Sequence, residues 1–439
     1  MEASRITPAP GPGGVLVFGF GTTVAMWSLG YVGRLPALLL PSPVLLMLLL
    51  LSLFGGGLIL ARYVPGGWRA GAVAGVISGL LNLLVLGSFI SGDRPNEIVP
   101  SALWWIPGSI LFSALCAGGG AAVGARAMRR VPFADWPAAL VRVAIAATLL
   151  LLGVGGLVTS AQAGLAVTDW PRSFGYNMFL YPFSRMTGEI YYEHAHRLFG
   201  ALVGLTTLVM ALLLERSEHP RRVKTVGWAA LGLVGVQGLL GGLRVTGTLT
   251  LSSSAAAMSP SLTLAVVHGV LAQLILGTLV ALGVFTSAGW RRAGVPLRRP
   301  AVRADRVLVG LLVGVMIGQL LLGAIQRHFR QLLIFHVVVG VAVVAPLAVN
   351  VGIRAWALNR GRRLLQRLGL ALVAAVCLQL LLGFGAFAAL DSAGSLTVRT
   401  AHQWFGAVLL AIAVCLLCWE LRLLAPSARS GANPGAGAA

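Results

Sequence analysis

The stretch YYEHAHRLFGALVGLTTLVMALLL, residues 191–214, decides the fold of this chain. A run of about 20 apolar residues is long enough to cross a bilayer as a helix. Here Glu193, His194, His196 and Arg197 stand directly at the start of such a run. Ionisable side chains at membrane depth cost free energy and therefore mark candidate functional sites. The stretch predicts a spanning helix near residues 193–213 with a chemical function at its beginning.

The composition of the whole chain indicates the same environment. Of its 439 residues, 57% are hydrophobic and 10% are charged, whereas soluble proteins carry about 25% charged residues. A net charge of +21 would suggest nucleic-acid binding in a soluble protein. In this chain, however, the Arg residues cluster in short connections between apolar segments, which is a topology signal. We predict an all-α polytopic membrane protein, surrounded by lipid and with no nucleic-acid partner.

Twelve apolar runs have the length of a spanning helix, four before the basic junction RAMRRVPFADWP and eight after it. The predicted spans lie near residues 13–31, 36–60, 70–90, 103–125, 139–161, 193–213, 226–246, 263–285, 304–325, 331–352, 366–388 and 398–420. The chain is predicted to have four parts. Residues 1–135 form an N-terminal region of about four helices with no assigned role, and residues 425–439 form a disordered tail. Between them lies a pseudo-symmetric pair of four-helix bundles, at 136–290 and 291–424.

The basic loops predict an orientation. Arg-rich connections alternate with connections that are poor in positive charge, such as GTLTLSSSAAAMSPS at residues 247–261. The positive-inside rule places the Arg-rich loops in the cytoplasm. We therefore predict a protein of a bacterial-type inner membrane with both ends cytoplasmic and residues 162–192 facing outward.

A repeated helical hairpin carries the histidines. The segments VQGLLGGLRVT (from 236), GQLLLGAIQRH (from 318) and LQLLLGFGAFA (from 378) each end an outward-going helix and precede a helix with a histidine near its start. A first hairpin, at LLGVGGLVTSAQAG, fits more loosely. One intramembrane histidine often makes only a helix-to-helix hydrogen bond. Four at a similar depth are harder to explain in that way; they are His196, His268, His336 and His402.

Two imidazoles on facing helices can ligate one iron from both sides of a porphyrin. The four histidines therefore predict two bis-histidine haem sites, one in each half. Zinc is the competing metal, but it usually takes four tetrahedral ligands, often including Cys or carboxylate. Gly269, Gly340 and Gly406 lie near the histidines and suit a flat macrocycle, so the pattern favours haem.

Glu193 precedes His196 by three residues, so the two side chains share a helix face, and Arg197 reaches the same side. His194 points elsewhere and is predicted to lie at the rim. A carboxylate beside a haem can act as an acid or base or stabilise a developing cation; the alternative is a Glu that favours the helix N-terminus. Four arginines near the outer surface either snorkel to the interface or pair with haem propionates: Arg197, Arg244, Arg327 and Arg399.

These motifs resemble the haem A synthase family over about residues 139–422. The resemblance rests on LVTSAQAGLAVTDWP (157–171), EHAHRLFG (193–200), QGLLGGLRV (237–245), VVHGVLAQ (266–273), FHVVVG (335–340) and AHQWFGA (401–407). It implies oxidation of the C8 methyl group of haem O to a formyl group, which gives haem A for cytochrome oxidase. It also implies a haem b cofactor on His336 and His402, substrate haem on His196 and His268, and Glu193 near the reacting methyl. The pair of bundles would then have its substrate-haem side at 136–290 and its haem b side at 291–424.

The implied partners are haem O as substrate, haem O synthase and components of cytochrome oxidase assembly. Many bacterial relatives carry a cysteine pair in the first outer loop, but residues 162–192 contain no Cys, so the chain resembles the cysteine-lacking branch. Two other functions stay open: a bis-histidine di-haem electron carrier that oxidises quinol, and a non-catalytic oxidase-assembly or haem-transfer protein. Glu193 favours the enzyme, because an electron carrier needs no carboxylate at its haem.

Overall fold

The computed structural model describes residues 12–36, 38–133, 135–247, 260–389 and 394–426. Within them, 12 helices are long and apolar enough to cross a membrane, which confirms the predicted all-α polytopic membrane protein. In chain order, α1 to α12 are Gly13–Gly33, Ser42–Tyr63, Trp68–Leu86, Ala102–Ala127, Trp136–Ser160, Gly188–Glu215, Arg221–Thr246, Leu262–Thr286, Val302–Phe329, Leu333–Ala357, Arg363–Ala388 and Ser395–Leu423. Most of the loop at 247–261, and the predicted disordered tail from residue 427 onward, lie outside the described residues.

Three helices, α2, α6 and α7, begin five or six residues from their predicted starts. Helix α2 begins at Ser42 rather than near residue 36, because Pro41 and Pro43 set the start of the helix. Helix α6 begins at Gly188, five residues ahead of the predicted start, so Glu193 lies inside the helix rather than at its end. Its first turn is supported by packing of Ile190 against the buried residues of the preceding loop, a tertiary contact that the hydropathy pattern does not contain.

The chain divides into two compact units, Met1–Gly283 with Ala389–Trp404, and Val284–Ala388 with Phe405–Ala439. The division runs through α12, between Trp404 and Phe405. The predicted part boundaries at residues 135, 290 and 424 stay predictions.

In the first unit, α1 to α4 pack on one another through small residues. A Cβ added at Gly57 of α2, or at Gly71 or Gly75 of α3, would overlap the α4 backbone. Such close approach of backbones is how membrane helices associate without a hydrophobic driving force between them. Aromatic contacts then join α1 to α6: Tyr31 stacks on Tyr191 with ring centres 5.4 Å apart.

The loop between α5 and α6 has its own compact structure. Its strands β1 (Arg172–Ser173) and β2 (Tyr176–Asn177) form an antiparallel hairpin, followed by two short 3₁₀ turns at Met178–Leu180 and Phe183–Arg185. The Tyr176 hydroxyl donates to the Asp93 carbonyl at 2.6 Å, and this ties the hairpin to the connection between α3 and α4. We call residues 161–187 the outer loop.

The second unit contains α9, α10 and α11. Helix α10 includes one π-helical turn, Gly340–Val344, which ends just before Pro346. A buried ion cluster lies at one end of the unit, where the Asp305 carboxylate accepts hydrogen bonds from Arg354, at 2.7 Å, and from Arg299. Strands β3 (Leu297–Arg299) and β4 (Leu424–Pro426) pair in parallel beside it.

Candidate functional site

Glu193 connects α6 to the outer loop. The residue is 4% exposed, and each carboxylate oxygen accepts one hydrogen bond: Oε2 from the Val167 backbone N–H at 2.9 Å, and Oε1 from Arg197 Nη2 at 2.9 Å. The pair is one helical turn apart, as an i,i+4 ion pair requires. Since a carboxylate oxygen has two lone pairs, each oxygen keeps one further acceptor position.

Arg197 fastens the outer loop over this end of α6. Its Nη1 donates to the carbonyls of Asp169 and Arg172 at 2.7 and 2.9 Å, and its Nη2 donates to the carbonyl of Val167 at 2.8 Å. The Asp169 carboxylate, 2% exposed, accepts from the N–H groups of Phe174 and Gly175 and so shapes the β-hairpin. These contacts give the DWP element of the sequence a structural role.

His194 is not at the rim, which corrects the prediction. It is 0% exposed, its Nδ1 lies 3.2 Å from the Ser173 hydroxyl, and its ring packs against that of Tyr181 at 5.1 Å between centres. Burial raises the pKa of the Tyr181 phenol, so Tyr181 stays neutral. The prediction failed because the outer loop folds back over the face of α6 that carries His194.

The structure brings His196 and His268 together. Their ring centres are 6.3 Å apart and their planes cross at 77°. Two imidazoles that bind one metal ion from opposite sides, each through a bond of about 2 Å, have ring centres roughly 6 Å apart. Both residues are half-buried, unlike His194. The spacing is therefore compatible with two axial ligands of one iron.

Three of the four predicted histidines pack in the same way, each over a glycine of the preceding helix. A Cβ added at Gly155 would lie 2.9 Å from His196 Cε1, one at Gly241 would lie 3.0 Å from His268 Cε1, and one at Gly323 would lie 2.9 Å from His336 Cε1. The glycine in each hairpin is therefore needed for the ring to reach its place. This shared packing supports the structural equivalence that the sequence repeat predicted.

A glutamine accompanies this glycine in the repeat. Gln237 and Gln319 each lie four residues before the glycine, and their Nε2 groups donate to the backbone carbonyls of His268 and His336, at 2.9 and 2.8 Å. Gln319 Nε2 also lies 3.1 Å from His336 Nδ1. These glutamines were visible as a recurring letter in the three repeated segments, but nothing in the sequence showed that they contact histidines.

The predicted spaces beside the histidines differ from one another. A Cβ at Gly269 would meet no described atom within 4 Å, which agrees with open space there. At Gly340 and Gly406 it would lie 2.9 Å from Gln319 Nε2 and 3.3 Å from Gln379 Nε2, so glutamine side chains fill these two places. A glutamine amide therefore neighbours each of these two glycines, and space for a macrocycle at Gly340 and Gly406 stays a prediction.

Of the four predicted propionate-binding arginines, Arg197 and Arg244 both lie beside the outer loop, and Arg244 is the one whose guanidinium makes no described hydrogen bond to the loop backbone. Its guanidinium lies against Gly164 of the outer loop, where an added Cβ would overlap it, and its charge interacts with those of Glu193 and Arg197. Arg197 is engaged with the loop backbone, as described above. Arg327 and Arg399 lie in α9 and α12. Their role stays a prediction.

A haem fits the first histidine pair on three observations. The ring spacing matches two axial ligands. The glycines behind the rings hold them in one orientation. A Cβ added at Gly269, the residue after His268 on α8, would meet no described atom within 4 Å, so open space adjoins α8 at this point. One feature departs from the usual pattern: metal-bound histidines have a partner on the second ring nitrogen, whereas His196 Nδ1 is buried with none among the described residues.

His336 and His402 fall in different units, so their pairing stays a prediction. For His336, the contact between Nδ1 and Gln319 is of the kind that orients metal-bound histidines. His402 lies in α12 two residues before Trp404, whose indole N–H donates to the Leu149 carbonyl of α5 at 2.8 Å.

Comparison with known proteins gives one family. Residues 138–338 match the family model of the cytochrome oxidase assembly proteins, the family of the haem A synthases. No curated protein matches the chain significantly. The match covers Glu193, His196, His268 and His336, and it ends before His402. Residues 138–338 of this integral membrane protein thus match the cytochrome oxidase assembly protein family, which confirms the resemblance to haem A synthases over that part of the chain.

Proposed function

We propose that the protein is a haem A synthase that oxidises the C8 methyl group of haem O to a formyl group. The observation that carries the proposal is the arrangement on α6: His196 lies 6.3 Å from His268 between ring centres, and the same helix carries the buried Glu193 one turn away. The family match supports the general role in haem A synthesis and oxidase assembly. The particular methyl oxidation is our inference from the site.

In this proposal His196 and His268 hold the iron of haem O, and Arg244 pairs with a propionate of the substrate. Held by these two histidines, the substrate would lie beside Glu193, which is on the same helix as His196. The ionised carboxylate, held by Arg197 and the Val167 N–H, stabilises positive charge that develops at the reacting carbon or accepts a proton from water. The outer loop excludes bulk water and so strengthens this interaction.

His336 and His402 would hold haem b, whose chemistry is one-electron transfer. Gln319 would orient His336 through Nδ1 and through the backbone carbonyl. We place the protein in a bacterial-type inner membrane with both ends cytoplasmic and the haem sites toward the outer face, since the Arg-rich loops alternate as the positive-inside rule requires. Haem O synthase and oxidase assembly components are the partners that this function would need.

A plain bis-histidine electron carrier is the second candidate, because the histidine geometry alone serves it equally well. A haem-transfer protein without catalysis is the third. Neither needs a buried carboxylate one turn from a haem ligand. Glu193 also has a loop-fastening role in this structure, so activity and loop integrity must be measured separately.

The test is to co-express the chain with a haem O synthase in a host without haem A, and to separate the extracted haems by chromatography. Haem A or its hydroxylated intermediate is expected. If haem O accumulates unchanged although the protein is in the membrane and retains haem, the proposed function is wrong. If the purified protein from that experiment oxidises quinol and its bound haems become reduced, the electron carrier is supported instead.

A further inference from the structure

A large apolar cavity lies on the side of α6 away from the histidine site. It has a volume of about 900 Å³, lies between α1, α2, α3, α4 and α6, and is partly open to the surface. The α6 residues that line it are Tyr191, Ala195, Leu198 and Phe199, which follow the i, i+4, i+7, i+8 spacing of one helix face. Residues 193, 196 and 197 face the other way. The cavity and the haem site thus share one helix, whose thickness is about 10 Å.

Aromatic rings and leucines line the cavity in two groups. Six rings come from α1, α6, the outer loop and the turn after α3: Trp27, Tyr31, Phe89, Phe183, Tyr191 and Phe199. Helix α4 adds Trp104, Trp105 and Phe112 to the lining. The Phe89 and Phe183 rings stack at 4.4 Å. Leucines of α2, including Leu45, Leu49 and Leu53, line another wall. A ligand that matches both groups has a flat ring head and a long apolar tail.

Polar groups at the aromatic end are few and specific. Tyr31 is 7% exposed, and its hydroxyl is buried without a hydrogen-bond partner among the described residues. A buried donor without a partner costs free energy that a ligand acceptor would recover. Arg34 is the single cation of the lining, and its guanidinium stacks on Phe183 at 4.5 Å. Phosphate recognition usually uses several such donors, so the lining suits a carbonyl-bearing ring better than a phospholipid headgroup.

We propose that this cavity is the binding site of a membrane quinone, with its ring among the aromatic side chains near Tyr31 and its isoprenoid tail along the leucines of α2. The Tyr31 hydroxyl donates a hydrogen bond to one quinone carbonyl. This gives the N-terminal four-helix region a function: with α6 it builds a lipid-soluble ligand site next to the haem site.

The quinone is then the electron acceptor for the reaction, a part of the inference that rests on the proposed function. Oxidation of a methyl group to a hydroxymethyl group with water as the oxygen source releases two electrons and two protons. Reduction of a quinone to a quinol, with two C–O–H groups, takes up two electrons and two protons. One water and one quinone are consumed for each such oxidation, and one quinol forms, so the step balances.

The test uses the full chain in nanodiscs of phosphatidylcholine that contain no quinone, titrated with a decyl-tailed benzoquinone. Gly108 of α4 lines the cavity and adjoins open space, whereas Gly119 of the same helix adjoins open space and is not in the lining. Gly108→Phe is expected to weaken quinone binding roughly tenfold or more because the new side chain occupies the cavity. Gly119→Phe is expected to bind quinone as tightly as the unchanged protein does.

Tyr31→Phe is expected to weaken quinone binding about tenfold and to leave the binding of farnesol, which has no carbonyl, unchanged.

Three results would overturn the inference: quinone affinity that is equal in the two glycine variants, farnesol that binds as tightly as the quinone, or no saturable quinone binding. The second result would assign the cavity to an isoprenoid chain such as the tail of haem O.

A haem A assay with a soluble one-electron acceptor separates the quinone inference from the proposed function. If Gly108→Phe forms haem A normally with the soluble acceptor but not with quinone, the inference stands. If the unchanged protein binds quinone but forms no haem A with either acceptor, only the proposed function fails.

Discussion

A single carboxylate, Glu193, joins the chemistry of the site to the fold of the outer loop. Its partners are the Val167 N–H and the Arg197 guanidinium, and Arg197 in turn holds three loop carbonyls. Hydrogen bonds to charged groups are worth about 1.5–3 kcal/mol each. In the proposed reaction, the carboxylate that would act on the substrate therefore also anchors the outer loop above it.

Replacement of Glu193 by Gln is expected to lower haem A formation by 10²-fold or more while bound haem is retained, because the amide keeps the size but not the charge of the side chain. Its NH₂ group would also face the Val167 N–H or Arg197, so hydrogen exchange of residues 164–177 should become faster. Haem chromatography and exchange measured by mass spectrometry check the two effects. Glu189→Gln, an exposed carboxylate in the first turn of the same helix, is the control. Unchanged haem A formation in Glu193→Gln would remove Glu193 from the catalytic site.

The sequence identified Glu193 and its neighbours on the helix, because residues three and four apart share a helix face. It did not identify the Val167 N–H, or Asp169 as the residue that shapes the hairpin. Those contacts depend on the path of a 27-residue outer loop, and local spacing does not determine how such a loop returns to a helix. His194 was misplaced for the same reason.

At the scale of the element, the repeated unit is more than a histidine on a returning helix. It is a glycine on the outgoing helix under the imidazole ring, with a glutamine one turn earlier that donates to the histidine carbonyl. The first hairpin keeps the glycine, Gly155, but has Leu151 in place of the glutamine. The first hairpin therefore differs from the other repeats. It is also the hairpin that carries Glu193 and that is proposed to bind the substrate.

Substitution of Gln319 by Leu tests this unit, because it introduces the residue that the first hairpin has naturally. His336 should lose its orienting contacts, and loss of such a contact typically lowers metal-site affinity 10–100-fold. We expect haem retained per protein to fall after washing with an apoprotein haem acceptor, together with a shift of the reduction potential of the remaining haem. Gln366→Leu, a half-exposed glutamine of α11 in the same unit, should change neither. Full haem retention in Gln319→Leu would make Gln319 a packing residue only.

For the whole molecule, the number and order of the spanning helices could be predicted, because length and apolarity alone define them. The packing of α1 to α4 against α6 could not be predicted from the sequence. Membrane helices are apolar on every face, and their contacts depend on the fit of small residues such as Gly57 and Gly75 rather than on a hydrophobic stripe. The division within α12 and the cavity beside α6 were invisible for that reason.

The two histidine groups should lose haem independently, since His196 and His268 lie within one unit and His336 lies in the other. In protein made without haem O synthase, His336→Ala should lower the haem-to-protein ratio and leave the spectrum of any haem on the first pair intact. His268→Ala should have the complementary effect. His194→Asn, which keeps an acceptor near the position of Nδ1 for Ser173, is the matched control and should retain all haem. Haem content and low-temperature absorption spectra measure this. If His336→Ala and His268→Ala each removed all haem, the four histidines would form one cooperative site, and the assignment of one haem to each half would be wrong.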